Sequence, residues 1–64
     1  MTADDFKGWI AAMGWNDSQA ASELALSRNS VAKYKREGAP LSIGLACAAL
    51  AAGLGPWSRE GRSQ

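Results

Sequence analysis

With 64 residues the chain makes one domain at most, and a domain of this size buries only about 60% of the surface its unfolded chain exposes. It has no histidine and a single cysteine, Cys47, which excludes an internal disulfide and a tetrahedral zinc site assembled from one chain. The net charge of +1 conceals a segregation: residues 1–27 set Lys7 against Asp4, Asp5, Asp17 and Glu23, residues 28–36 carry Arg28, Lys33, Lys35 and Arg36 with no acid, and residues 37–64 balance. Positive charge gathered on one element points to a polyanionic partner more strongly than total charge does.

The pattern is helical throughout. Valine and isoleucine together number three, and no stretch alternates with the period of a strand. The first helix is predicted from about Ala3 to Met13. Thr2 caps it, and Asp4 and Asp5 sit at the positive end of its dipole. Phe6, Trp9, Ile10 and Met13 share its buried side, and Gly14 stops it. The second helix follows Trp15, with Asn16 as N-cap and Gln19 completing a capping-box pair. Ala20, Ala21 and Leu24 form its inner stripe, narrow enough to bring another helix close, while Ser18, Gln19, Ser22 and Glu23 face water.

Ala25 to Ser27 make a short connection. The third helix is capped by Ser27 and runs to about Arg36 or Glu37, where Gly38 ends it. Ser30, Val31 and Tyr34 form its inner side. Arg28, Asn29, Ala32, Lys33 and Arg36 lie opposite, with Lys35 flanking them. The fourth helix, about Pro40 to Ala52, falls in a stretch from Gly38 to Ser58 without a charged residue. Leu41, Leu45, Ala49 and Ala52 cover one of its sides and Ile43, Ala46 and Leu50 another, so it needs two partners. Its apolar run is shorter than the roughly 20 residues that span a bilayer. Gly53, Gly55 and Pro56 close it, Trp57 follows, and residues 58–64 read as a flexible tail beyond a domain of residues 1–57.

Two short helices joined by about three residues, the second basic on its free side, are the pattern of a helix-turn-helix, whose second helix enters the major groove. The stretch "DSQAASELALSRNSVAKY" resembles the Cro/repressor-type (XRE-type) helix-turn-helix family. Ala21 matches the small residue at the helix contact and Leu24 and Leu26 the apolar turn residues. Ser27 matches the cap, Ser30-Val31 the Thr-Val pair, and Tyr34 the closing aromatic. "GAPLSIGLACAALAAGLGPW" looks like the proline-started fourth helix of short members. The resemblance spans about Phe6 to Trp57. It implies an all-α, lambda-repressor-like domain of four or five helices, and a small regulator of the phage or mobile-element kind.

Two departures from the family pattern stand out. Ala25 occupies a turn position that is often glycine; in a left-handed conformation it would cost about 1 kcal/mol, unless the turn is built differently. Asp17 replaces a glutamine that often touches phosphate or base, so it is assigned instead to the helix dipole or to pairing with a base such as Arg28.

Carrying the family's reading positions over makes Arg28, Asn29, Lys33 and Ala32 the base-contact candidates, with Arg36 secondary. Arginine can grip guanine, and asparagine adenine, through two hydrogen bonds each. Ser18, Gln19, Ser27, Ser30, Tyr34, Lys35 and Arg36 are candidates for phosphate contacts, which fix register without reading sequence. Ile43, Cys47, Leu50, Leu54 and Trp57 are assigned to a homodimer surface, although Cys47 also reads as a small core residue and Trp57 as one that folds back on its own domain.

The function expected is that of a sequence-specific regulator, a repressor, on double-stranded DNA carrying an inverted repeat. The alternative is a protein-interaction module, antiactivator or antitoxin in kind, working through the apolar fourth helix. An enzyme is not expected: Asp4 and Asp5 are adjacent and diverge around their helix, and no glycine-rich phosphate loop follows a strand. No cofactor, metal, small-molecule ligand or membrane partner is expected. The opening "MTADDFKGWI" lacks the pattern of a signal peptide, so the expected location is the cytoplasm, on bacterial nucleoid DNA.

Overall fold

Four helices and no strand make up residues 1–59, the part of the chain that the computed structural model describes. They are α1 (Ala3–Met13), α2 (Asp17–Leu24), α3 (Arg28–Glu37) and α4 (Leu41–Ala51). The fold is all-α, as the sequence predicts. The fifth helix allowed for by the resemblance is absent from the described residues. Of the expected tail, Ser58 and Arg59 are exposed, and residues 60–64 lie outside the described part.

Three of the helices start on a side-chain cap, which satisfies amide groups that a helix leaves without internal partners. The Asp5 amide donates to Thr2 Oγ1 at 3.0 Å, while the Thr2 amide donates to Asp5 Oδ2 at 3.3 Å. Asn16 and Gln19 exchange the same pair of bonds at 2.8 and 2.9 Å, the capping box that their spacing predicts. Ser27 Oγ accepts from the Ser30 amide at 3.1 Å. Helix α4 has no side-chain cap; Pro40 precedes it in extended geometry, and its carbonyl accepts from the Ile43 and Gly44 amides at 3.0 Å each.

The stops of α1, α2 and α4 share one geometry, a nested pair of backbone bonds around a left-handed residue. The Trp15 amide reaches Ile10 O at 3.2 Å and Gly14 reaches Ala11 O at 3.0 Å; Leu54 reaches Ala49 O at 2.8 Å and Gly53 reaches Leu50 O at 3.1 Å. Glycine supplies the positive φ in both, 73° at Gly14 and 78° at Gly53. The stop of α2 repeats the bonds, from Leu26 to Ala21 O at 2.8 Å and from Ala25 to Ser22 O at 3.2 Å. Its pivot is Ala25 at φ 56°, ψ 42°. The turn is therefore not built differently: alanine takes the left-handed conformation, at a cost of about 1–2 kcal/mol.

The core is small and aromatic. Phe6 and Val31 are fully buried, with Trp9, Ile10, Ala20, Ala21, Ala39 and Cys47 around them. The Phe6 ring meets Tyr34 edge-on at 5.7 Å and lies 5.9 Å from Trp9, and Trp9 meets Trp15 edge-on at 5.6 Å. Complete burial of a side chain like Phe6 is worth about 1.5–3 kcal/mol, a large share for so short a chain. Ala20 and Ala21 present almost no bulk, which lets α2 pack on both α3 and α4. One buried polar link sets the rotation of α4: Trp9 Nε1–H donates to the Cys47 carbonyl at 3.0 Å. Cys47 is itself 1% exposed, and burial pushes its thiol above the usual range, so it stays protonated at neutral pH.

The turn between α3 and α4 is clamped from the start of the chain. The Met1 carbonyl accepts from the Ala39 amide at 2.9 Å, and the Met1 amine donates to Ala39 O at 3.3 Å. Gly38, at φ 94°, passes so close that a Cβ there would lie 2.8 Å from Met1 O. Its role thus exceeds stopping α3: only glycine fits the turn and the clamp together.

Candidate nucleic-acid interface

Helix α3 is held to the core from one side. Val31 is fully buried and Tyr34 half-buried, while Arg28, Asn29, Ala32, Lys33 and Arg36 are all exposed. Asn29, Lys33 and Arg36 follow one another at spacings of four and three residues and so share a stripe; Arg28 and Ala32 form the neighbouring row. All four base-contact candidates stand together on this free face. Its N-terminal end adjoins the Ala25–Ser27 connection, so Ser27 lies exposed at its edge.

The phosphate-contact candidates divide. Ser18 and Gln19 are exposed in the first turn of α2, and Ser27 and Arg36 are exposed on or beside α3. Gln19 has its side-chain oxygen engaged in the α2 cap. Ser30 is half-buried, as its inward angle predicts, and Ser27 Oγ donates to its hydroxyl at 3.1 Å. Tyr34 contributes its ring to the core through Phe6.

Lys35 is half-buried and already paired. Its Nζ donates to both carboxylate oxygens of Asp17, at 3.0 and 3.1 Å. Asp17 thus pairs with a base at the far end of α3 instead of with Arg28. The reason is the crossing of the two helices, which sets the first residue of α2 beside the last turns of α3. Arg36 lies 3.6 Å from Glu37, both well exposed, a contact worth little in water. Among the described residues, neither Arg28 nor Lys33 has a carboxylate within ion-pair distance. The free face therefore presents, among the described residues, two cations without acidic partners on either side of an exposed asparagine.

The second free surface is apolar. Leu41, Leu45, Leu54 and Trp57 are 75%, 62%, 61% and 87% exposed. The assignment of Cys47 to a dimer surface needs correction. Cys47 lies in the core of its own chain, and Ile43 and Leu50 pack half-buried against that core. The Trp9–Cys47 bond turns this side of α4 inward, so Leu41 and Leu45 take the outward positions, with Leu54 and Trp57 following the helix.

A groove of about 450 Å³ runs between the end of α2 and the segment after α4, lined by Leu24, Ala25, Ala46, Leu50, Leu54 and Pro56 among others. Among the described residues, Glu23 is the one charged residue that lines it. Among the described residues there is no cluster of three or more metal-ligating side chains, and no helix is long and apolar enough to cross a membrane. Comparison of the chain with protein-family models, with curated proteins and with solved structures returns no match.

Proposed function

We propose that this protein reads double-stranded DNA by sequence, as a transcriptional repressor of helix-turn-helix type acting in the cytoplasm. Helix α3 enters the major groove, and α2 lies across the backbone. The observation that carries the reading is the free face of α3. Arg28, Asn29, Ala32, Lys33 and Arg36 are all exposed, on a helix whose opposite side is locked into the core by Val31 and Tyr34. Arg28, Asn29 and Lys33 contact bases, with Ala32 close enough for an apolar contact to a thymine methyl. Ser18, Ser27 and Arg36 reach phosphates.

The repressor works as a homodimer on an inverted repeat, its two recognition helices about 34 Å apart. Leu41, Leu45, Leu54 and Trp57 form the shared surface. Their exposure in the single chain supports this, because a monomer gains nothing from four large apolar side chains in water. The same exposure favours the second reading, in which α4 masks a different protein.

Selection of bound fragments from a random duplex pool tests the proposal. One enriched inverted repeat is expected, bound at least about a thousandfold more tightly than random duplex and with an affinity that falls steeply with salt. A pool that stays random after repeated rounds would remove the DNA reading and leave the interaction module.

A further inference from the structure

The ion pair between Asp17 and Lys35 joins the two helices that face DNA in the proposed reading, on which this inference rests. Three features bear on what it does. Asp17 is the first residue of α2, where the partial positive charge of the helix end attracts an anion. Its carboxylate takes Lys35 Nζ with both oxygens, at 3.0 and 3.1 Å, the way a phosphate would take an ammonium group. The pair is open to an incoming ligand, with side-chain exposures of 35% for Lys35 and 41% for Asp17. In the proposed reading this sets a fixed negative charge beside a cation of the helix that meets DNA. That charge also occupies the cation, which would otherwise serve a backbone phosphate.

We infer that Asp17 is a built-in competitor of the DNA backbone: it holds Lys35 in the free protein, must give it up to a phosphate, and so lowers affinity for every duplex alike. Sequence reading is left to Arg28, Asn29 and Lys33, which have no such ion-pair partner among the described residues. The device moves the balance of binding away from sequence-independent contacts. A protein whose general affinity is held down is less readily trapped on the many non-specific sites that compete with its operator.

Retention on a heparin column and binding to random duplex DNA, both as a function of salt, test this with Asp17→Asn and Asp17→Ser. Both substitutions keep a residue suited to a helix start, and melting temperature reports that each variant is folded. Elution at higher salt is expected for both variants. Binding to random duplex should tighten about two- to fivefold, with the slope of affinity against salt unchanged, because Lys35 neutralises one phosphate in parent and variants alike. In a Lys35→Ala background the gain from Asp17→Asn should shrink, because the cation it frees is gone. Asp17→Glu, which keeps the charge, should elute with the parent. Folded neutral variants that elute with or before the parent overturn the inference, as does an equal gain with and without Lys35. If the neutral variants gain on heparin while no duplex is enriched from a random pool, the competitor role stands as a general brake on polyanions and the operator reading falls. If the parent and both variants ignore heparin and duplex alike, both fall.

Discussion

Helices α3 and α4 are nearly the same length and share one core, yet they turn opposite surfaces to solvent. Helix α3 is sharply two-sided, with Val31 buried on one face and Arg28, Asn29, Lys33 and Arg36 exposed on the other. Helix α4 carries no charge at all, and Leu41 and Leu45 stand in water on its outer side. The difference teaches what kind of partner each surface can accept. A cationic face keeps its water until a polyanion displaces counterions, so it is stable alone and selective by charge. An apolar face loses free energy for as long as it stays uncovered, and in the proposed reading a second copy of the chain covers it.

The largest expected effect removes the ground both surfaces stand on. Phe6 touches Trp9 and Tyr34 and is fully buried, so Phe6→Ala should cost about 3–5 kcal/mol. A chain of this length holds only some 3–10 kcal/mol in total, so circular dichroism should show a largely unfolded protein, with DNA binding and self-association lost together. If either property survived at full strength, the two faces would not depend on one core.

The next change separates the faces. Leu45→Glu puts a charge on the outer side of α4, where the single chain leaves the residue 62% exposed. The melting temperature of the monomer should move little. Burying that charge in a symmetric interface should weaken association by about 2–4 kcal/mol. Sedimentation should then report a monomer at micromolar concentration, with operator affinity reduced and binding to random duplex retained. A parent protein that is itself monomeric, on and off DNA, would break the comparison at its α4 end and favour the masking of another protein.

Arg28→Ala acts on the other face. Loss of a bidentate contact to guanine should cost about 1–3 kcal/mol at one base pair in each half-site, with oligomeric state and melting temperature unchanged. Competition between operators altered at single positions measures it. Uniform weakening across all operators would demote Arg28 to a phosphate contact and move the reading to Asn29 and Lys33.

The contrast between the helices also explains which features the sequence made legible. Helix boundaries came through because their causes are local: Thr2, Asn16 and Ser27 cap within three residues of themselves, and Gly14 and Gly38 stop where they stand. The inner and outer sides of α3 came through because charge and bulk segregate around it. The rotation of α4 did not, because a helix apolar all round gives angle arithmetic nothing to separate. The choice between Ile43 and Leu41 as the outward residue rests on a bond from Trp9 to the Cys47 carbonyl, 38 residues away in sequence. The partner of Asp17 was hidden for a similar reason. Lys35 lies 18 residues on, and only the crossing of α2 over α3 brings the two together.

The smallest expected effect lies in the connection that sets that crossing. The stops of α1, α2 and α4 use the same pair of backbone bonds, but α2 alone pivots on alanine, at φ 56°. Ala25→Gly removes the clash of Cβ with the backbone in the left-handed conformation. It also adds freedom to the unfolded chain, which opposes the gain. The net stabilisation expected is about 0.5–1 kcal/mol, a rise of roughly 2–8 °C in melting temperature for a domain this small. Because glycine can keep the same φ and ψ, the crossing of α2 and α3 and the Asp17–Lys35 distance should persist, and operator affinity should change less than twofold. If stability rises while affinity falls, the alanine stiffens the connection between α2 and α3, and in the proposed reading its strain is the cost of holding α3 at the angle the groove requires.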